Sequence, residues 1–104
     1  MPVAARGNGT DSVFSKTGSG KRCAKPTGTS TNECSPNVFI NGIGAVRIGD
    51  KVMVHAAGGC SPDTSALTRA STKVFINSKG AGRIGDQYTS DNIITSGSPN
   101  VVFG

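Results

Sequence analysis

Tryptophan is missing from this chain of 104 residues, tyrosine and histidine occur once each, and apolar residues make up only 35%. A core built from so little is thin, because a domain of this size buries roughly two thirds of the surface its unfolded chain exposes. No apolar run reaches the roughly 18 residues that would mark a membrane-spanning helix, and the N-terminus lacks the charged, apolar, then small-residue layout of a signal peptide. The expected site of synthesis is therefore the cytoplasm. Three cysteines are an odd number, which cannot complete a disulfide framework. A single histidine leaves nucleophilic catalysis with one ordinary general base near neutral pH. The formal charge of +5 would suit an anionic partner, but the basic residues do not cluster. Their densest group, Lys16, Lys21, Arg22 and Lys25, has no interleaved aromatic for base stacking, so nucleic acid is not the expected partner. The stretch from Thr17 to Arg22 also misses the phosphate-binding loop: Ser15 stands where a glycine is needed, and Arg22 where Ser or Thr must follow the lysine.

What is present instead is repetition. Val38, Phe39, Ile40, Asn41, Gly44, Ala45, Arg47, Ile48, Gly49 and Asp50, within 35–50, recur in order as Val74, Phe75, Ile76, Asn77, Gly80, Ala81, Arg83, Ile84, Gly85 and Asp86, within 71–86. A third copy is divided between the ends, with 98–104 supplying its first part and 3–8 its second. Joined end to start, the chain is circularly three-fold. Its ends are expected side by side, with the last strand paired to the first so that neither frays. In this register Val3-Ala4-Ala5-Arg6 matches Gly44-Ala45-Val46-Arg47 and Gly80-Ala81-Gly82-Arg83. The divided copy then reads Arg6-Gly7-Asn8 where the others read Arg-Ile-Gly-Asp, one residue shorter and with Asn in place of Asp.

Each unit reads as a hairpin. Val-Phe-Ile is a β-branched and aromatic run of strand type, bounded by Asn-Gly or Asn-Ser turn chemistry, and a second short strand is expected through 45–48 and 81–84. The Gly-Asp that follows is another turn signal, across which Arg47 and Asp50, or Arg83 and Asp86, are spaced to pair locally. The predicted fold class is all-β: a small pseudo-three-fold β-repeat of short hairpins in one domain over 1–104. Alternation places Val38 and Ile40 on one side of their strand and Phe39 on the other, so one set fills the core and the other meets a partner. The same holds for Val74, Phe75 and Ile76 and for Val101, Val102 and Phe103, with the choice of side left open.

Cys23, Cys34, His55 and Cys60 are all the cysteines and the only histidine. They form a Cys3His set, the closed complement of a structural zinc, and iron accepts such donors too. Their spacing is not the paired Cys-x-x-Cys of zinc fingers; what singles them out is that four donors with no spares fall in Gly-rich segments between repeats. Two alternatives stand beside this one: a cysteine serving as a small buried hydrophobe, and a Cys23 to Cys34 disulfide. A metal-dependent hydrolase built on His55 with Asp63 or Asp50 is a further alternative, disfavoured because four ligands leave no open coordination position. So is a metal-stabilised module for an anionic polymer such as nucleic acid.

The Val-Phe-Ile-Asn-Gly strand, the Ala-x-Arg-x-Gly-Asp turn and the opening Pro2-Val3-Ala4-Ala5-Arg6 resemble the PAAR-repeat family, over nearly the whole chain. The tetrapeptide that names the family is not intact, since Val3 stands at its Pro position. The resemblance implies a cone-shaped, non-enzymatic β protein with a metal ion near its apex. It implies a role as the membrane-piercing tip that sharpens a contractile injection machine, either a phage tail baseplate, as part of the virion, or a type VI secretion system. The implied partner is a homotrimeric β-helical spike, capped by one tip per trimer, with transient contact to the target membrane. The family's metal is held by histidines and cysteine, which implies the same role for Cys23, Cys34, His55 and Cys60.

Overall fold

Each internal Val-Phe-Ile run makes a strand of two residues in the computed structural model, which describes residues 2–15, 27–53, 65–89 and 92–103. The strands in chain order are β1 (Ser12–Ser15), β2 (Thr27–Ser30), β3 (Phe39–Ile40), β4 (Ile43–Gly44), β5 (Phe75–Ile76), β6 (Lys79–Gly80) and β7 (Asn92–Ile94), with no α-helix among the described residues. β3 pairs antiparallel with β4, and β5 with β6, in the same register. Both hairpins turn through two residues of positive φ, Asn41 at 53° and Gly42 at 79°, then Asn77 at 53° and Ser78 at 66°. This is the type I′ turn whose twist matches that of the flanking strands; Asn tolerates it and Gly favours it. The third hairpin is made by the two ends of the chain: Val3 bridges Val102, and the Phe103 N–H donates to the Pro2 carbonyl at 2.9 Å. The ends lie side by side, as the circular repeat predicts.

Strands this short are stable only because the copies pair with one another. The expectation that 45–48 and 81–84 complete each unit's own hairpin holds only as far as Ala45 and Ala81, whose N–H groups donate to Val38 and Val74. Beyond them the chain crosses to its neighbour: Arg6 bridges Ala45, Arg47 bridges Ala81, and Arg83 bridges Ala4. The residues between complete a closed ring of backbone hydrogen bonds, from Val46 to Ala5 (3.2 Å), Gly82 to Val46 (2.8 Å) and Ala5 to Gly82 (3.0 Å). Each copy thus satisfies the next copy's backbone groups, and no edge is left open at the axis.

Two apolar layers stack on this axis. One holds Ala4, Ala45 and Ala81 with Ile40, Ile76 and the partly buried Phe103. The other holds Ala5 and Val46 with Val13, Val52, Tyr88, Leu67 and Ile94. Gly82 takes the third axial place beside Ala5 and Val46, where a Cβ would lie 3.0 Å from Val46 Cγ1 and 3.1 Å from Leu67 Cδ2. One valine fills the axis for all three copies.

Past the Arg-Asp turn each copy sends out a second strand, and each returning strand pairs with the next copy: Thr31 with Val52, Leu67 with Tyr88, and Ile94 with Val13. In one sector this widens into a three-stranded sheet ordered β2-β1-β7. The divided copy corrects the sequence alignment. Asn8 is not the counterpart of Asp50 and Asp86; Asp11 is, and the turn is longer than its counterparts rather than shorter. The Gly9 N–H donates to Thr31 as Gly49 donates to Leu67 and Gly85 to Ile94, and all three glycines have φ between 79° and 87°. The divided copy therefore carries an insertion that keeps the carboxylate in place.

Candidate functional site

Three arginine forks repeat around the axis. Arg6 holds Asp11, Arg47 holds Asp50 and Arg83 holds Asp86, each Nη2 to Oδ1 contact at 2.9 Å, with the carboxylate side chains 1%, 5% and 3% exposed. Each carboxylate also accepts the backbone N–H of its own arginine, at 2.6, 2.7 and 2.8 Å. The hydrogen bond to aspartate is the largest influence raising each guanidinium's pKa. These pairs tie the two hairpins of a copy together, and their repetition in every copy fits scaffolding rather than catalysis.

At the first-hairpin end, the alternation left open by the sequence is resolved. Ile40 and Ile76 are buried in the core, while Phe39, Phe75 and Val102 are 59%, 62% and 48% exposed. Val38 is exposed, and Val74 and Val101 are partly buried against the core. The hairpins are locked to one another by side chains that the sequence marked only as turn chemistry. Ser98 Oγ donates to Asn41 Oδ1 at 2.6 Å and Asn41 Nδ2 donates to Asn100 at 2.9 Å; Ser35 and Asn37 make the same clasp with Asn77. The shared register of Asn37 and Asn100 was a signal for it. The result is three equivalent apolar residues held at fixed positions about one axis.

The other end is where the second hairpins point. Segments 16–26 and 54–64 lie between strands that leave and return at that end, and they carry Cys23, His55 and Cys60, which are outside the described residues. Cys34 is set apart from the described strand ends that flank those segments. It follows Thr31, and because Thr31 and Val52 pair antiparallel, the chain runs to Cys34 in the direction opposite to that in which 54–64 departs. Its Sγ packs where a Cβ built on Gly44 would lie 2.6 Å away, and one built on Gly7 2.8 Å away. The same place in the other copies is shared differently, Ala70 standing against Gly80, and Gly97 against Val3, so that each contact accommodates one side chain and not two. Burial, and then the nearby Asp50 charge, push the Cys34 thiol up. Its close contacts with Gly7 and Gly44 are those of a packing residue. No group of metal-ligating residues occurs among the described residues, and no helix among them is long and apolar enough to cross a membrane.

A family model for the PAAR motif matches residues 19–94, well over half of the chain. A search of curated proteins found no match. The family is structural rather than enzymatic; its members are parts of phage tails or secretion machinery and associate with a spike protein. The hairpins, the closed ring of Ala-x-Arg segments and the family match point the same way: this chain belongs to the PAAR-motif family.

Proposed function

We propose that the chain is the rigid point of a contractile injection machine. Its first-hairpin end docks, one chain per spike, onto the blunt end of a homotrimeric β-helical spike, and its opposite end meets the target membrane. The observation that carries this is the exposure of Phe39, Phe75 and Val102 at one register position of three axially related hairpins. Burying a side chain of this kind stabilises a complex by about 1.5–3 kcal/mol. A trimer end can be matched by three chains or by one chain with three similar faces, and only the single chain converges to a point. Val38, Val74 and Val101 flank the patch; Ile40, Ile76 and Phe103 hold the strands from inside. A zinc ion held by Cys23, His55 and Cys60, with a donor other than Cys34 in its fourth position, completes the proposal. The strands that flank 16–26 and 54–64 end on the same side, which supports it, with Cys34 left to packing.

Replacing Phe39, Phe75 and Val102 together with Asp tests the docking face. Binding to the purified spike trimer should weaken by roughly a hundredfold or more, whereas unchanged affinity in a folded variant refutes this surface. The spike that co-purifies with the chain distinguishes a phage tail from a type VI secretion system.

A further inference from the structure

The three copies serve as controls for one another, and one of them departs from the common pattern on a single flank. An open groove of about 570 Å³ is lined by Ile48 of one copy and Phe75 of the next, together with Arg69, Ala70 and Lys79. Lys73 follows the lining residue Thr72. At position 69 the other copies have Glu33 and Ser96, at 73 they have Asn37 and Asn100, and at 79 they have Ile43 and Pro2. The scaffold demands no cation at any of these positions. Among the described residues Arg69, Lys73 and Lys79 make no ion pair, and Asp11, Asp50 and Asp86 are each committed to an arginine elsewhere.

We propose that this groove binds an acidic polypeptide segment of a second protein, an aliphatic or aromatic side chain lodging between Ile48 and Phe75 while carboxylates on either side meet Arg69, Lys73 and Lys79. Ile48 and Phe75 are 37% and 62% exposed, so both walls are available in the free chain. Two cations lining an apolar groove, with Lys73 next in sequence to the lining residue Thr72, select a ligand that is apolar in its middle and anionic at its flanks. A nucleic acid strand would be served instead by cations tracking along a groove, with several aromatics for its bases. Because the feature occurs in one sector only, the expected stoichiometry is one segment per chain. The groove is complete in the isolated chain, so this proposal does not rest on docking to a spike; because Phe75 also belongs to the proposed docking face, the segment and the spike compete for that wall.

The test is fluorescence anisotropy on the full-length chain with a labelled peptide, Glu-Asp-Phe-Leu-Asp-Glu. The triple variant Arg69→Glu, Lys73→Asn, Lys79→Ile installs side chains that another copy already carries at the same register. It should fold and bind roughly tenfold or more weakly. Lys51→Gln, an exposed cation outside the groove, should leave binding unchanged. A peptide with Phe and Leu replaced by Ser should also bind more weakly. Equal loss in Lys51→Gln, indifference to the Ser peptide, or tighter binding of a single-stranded oligonucleotide or of vesicles containing phosphatidylserine overturns the proposal in favour of general anion attraction. So does a triple variant that binds like the parent.

Discussion

A buried carboxylate is tolerated only when its oxygens are filled, and Asp11, Asp50 and Asp86 are filled alike, by an arginine fork and by that arginine's own backbone N–H. The pairing of Arg47 with Asp50 was legible because local spacing implies it. The pairing of Arg6 with Asp11 was not, because an insertion breaks local spacing while the fold preserves position. Asp11→Ala should therefore destabilise by about 2–4 kcal/mol, leaving a partly buried guanidinium unpaired. Asn8→Gly, at φ 54°, should be nearly neutral. Chemical denaturation of both variants checks this, and a larger loss at Asn8 would restore the shorter alignment. Tyr88 is the other residue of consequence. It takes the place held by Val13 and Val52, is 3% exposed, and its hydroxyl finds no hydrogen-bond partner among the described residues. Burial pushes its phenol well above the ordinary value. Above a pH of about 10 the unfolded chain releases this proton while the folded chain keeps it, so stability falls as pH rises from there. Tyr88→Phe should raise stability by about 1 kcal/mol and flatten the alkaline decline. Unfolding curves with the same alkaline slope as the parent would contradict this.

The hairpins are where local sequence and global fold agree best. Asn-Gly between Ile40 and Ile43 specifies a type I′ turn, and the structure has one; Asn-Ser between Ile76 and Lys79 makes the same turn with Ser78 at φ 66°. Ser78→Gly should therefore stabilise by about 0.5–1 kcal/mol. Gly49 and Gly85 sit at φ 87° and 86° with nothing within 4 Å of an added Cβ, so Ala at either meets a purely backbone penalty of about 1 kcal/mol. Thermal melts of the three variants check the set; unequal losses at Gly49 and Gly85 would deny the equivalence of the copies. Which strand face turns inward could not be decided from alternation, because Val38, Phe39 and Ile40 are all apolar and only the neighbouring copies' alanines select the inner side. The second hairpins bear on the proposed metal. With Cys34 packed against Gly44, Cys34→Ala should retain the metal that Cys23→Ala or His55→Ala releases, as read by elemental analysis of purified protein. Metal lost from Cys34→Ala as well would return Cys34 to the ligand set.

As a whole the molecule solves the problem of a thin core by closing a ring. The backbone triad of Ala5, Val46 and Gly82 and the bridges from each arginine to the next copy's alanine repeat about one axis, and asparagine clasps join the hairpins at two of the three junctions. This closure was legible in the repeat and in its division between the ends, since a circular repeat has no other economical way to pair its last strand. The placement of Cys34 was not, because composition groups the cysteines while the strand directions separate Cys34 from the roots of the other two segments. In the proposed function the ring serves symmetry matching, one chain presenting the exposed Phe39, Phe75 and Val102 to three identical spike subunits. The most direct test is the native mass of the complex formed between this chain and its spike. One tip per spike trimer is the predicted result, and a complex carrying three tips per trimer would contradict the pseudo-three-fold docking on which the proposed function rests.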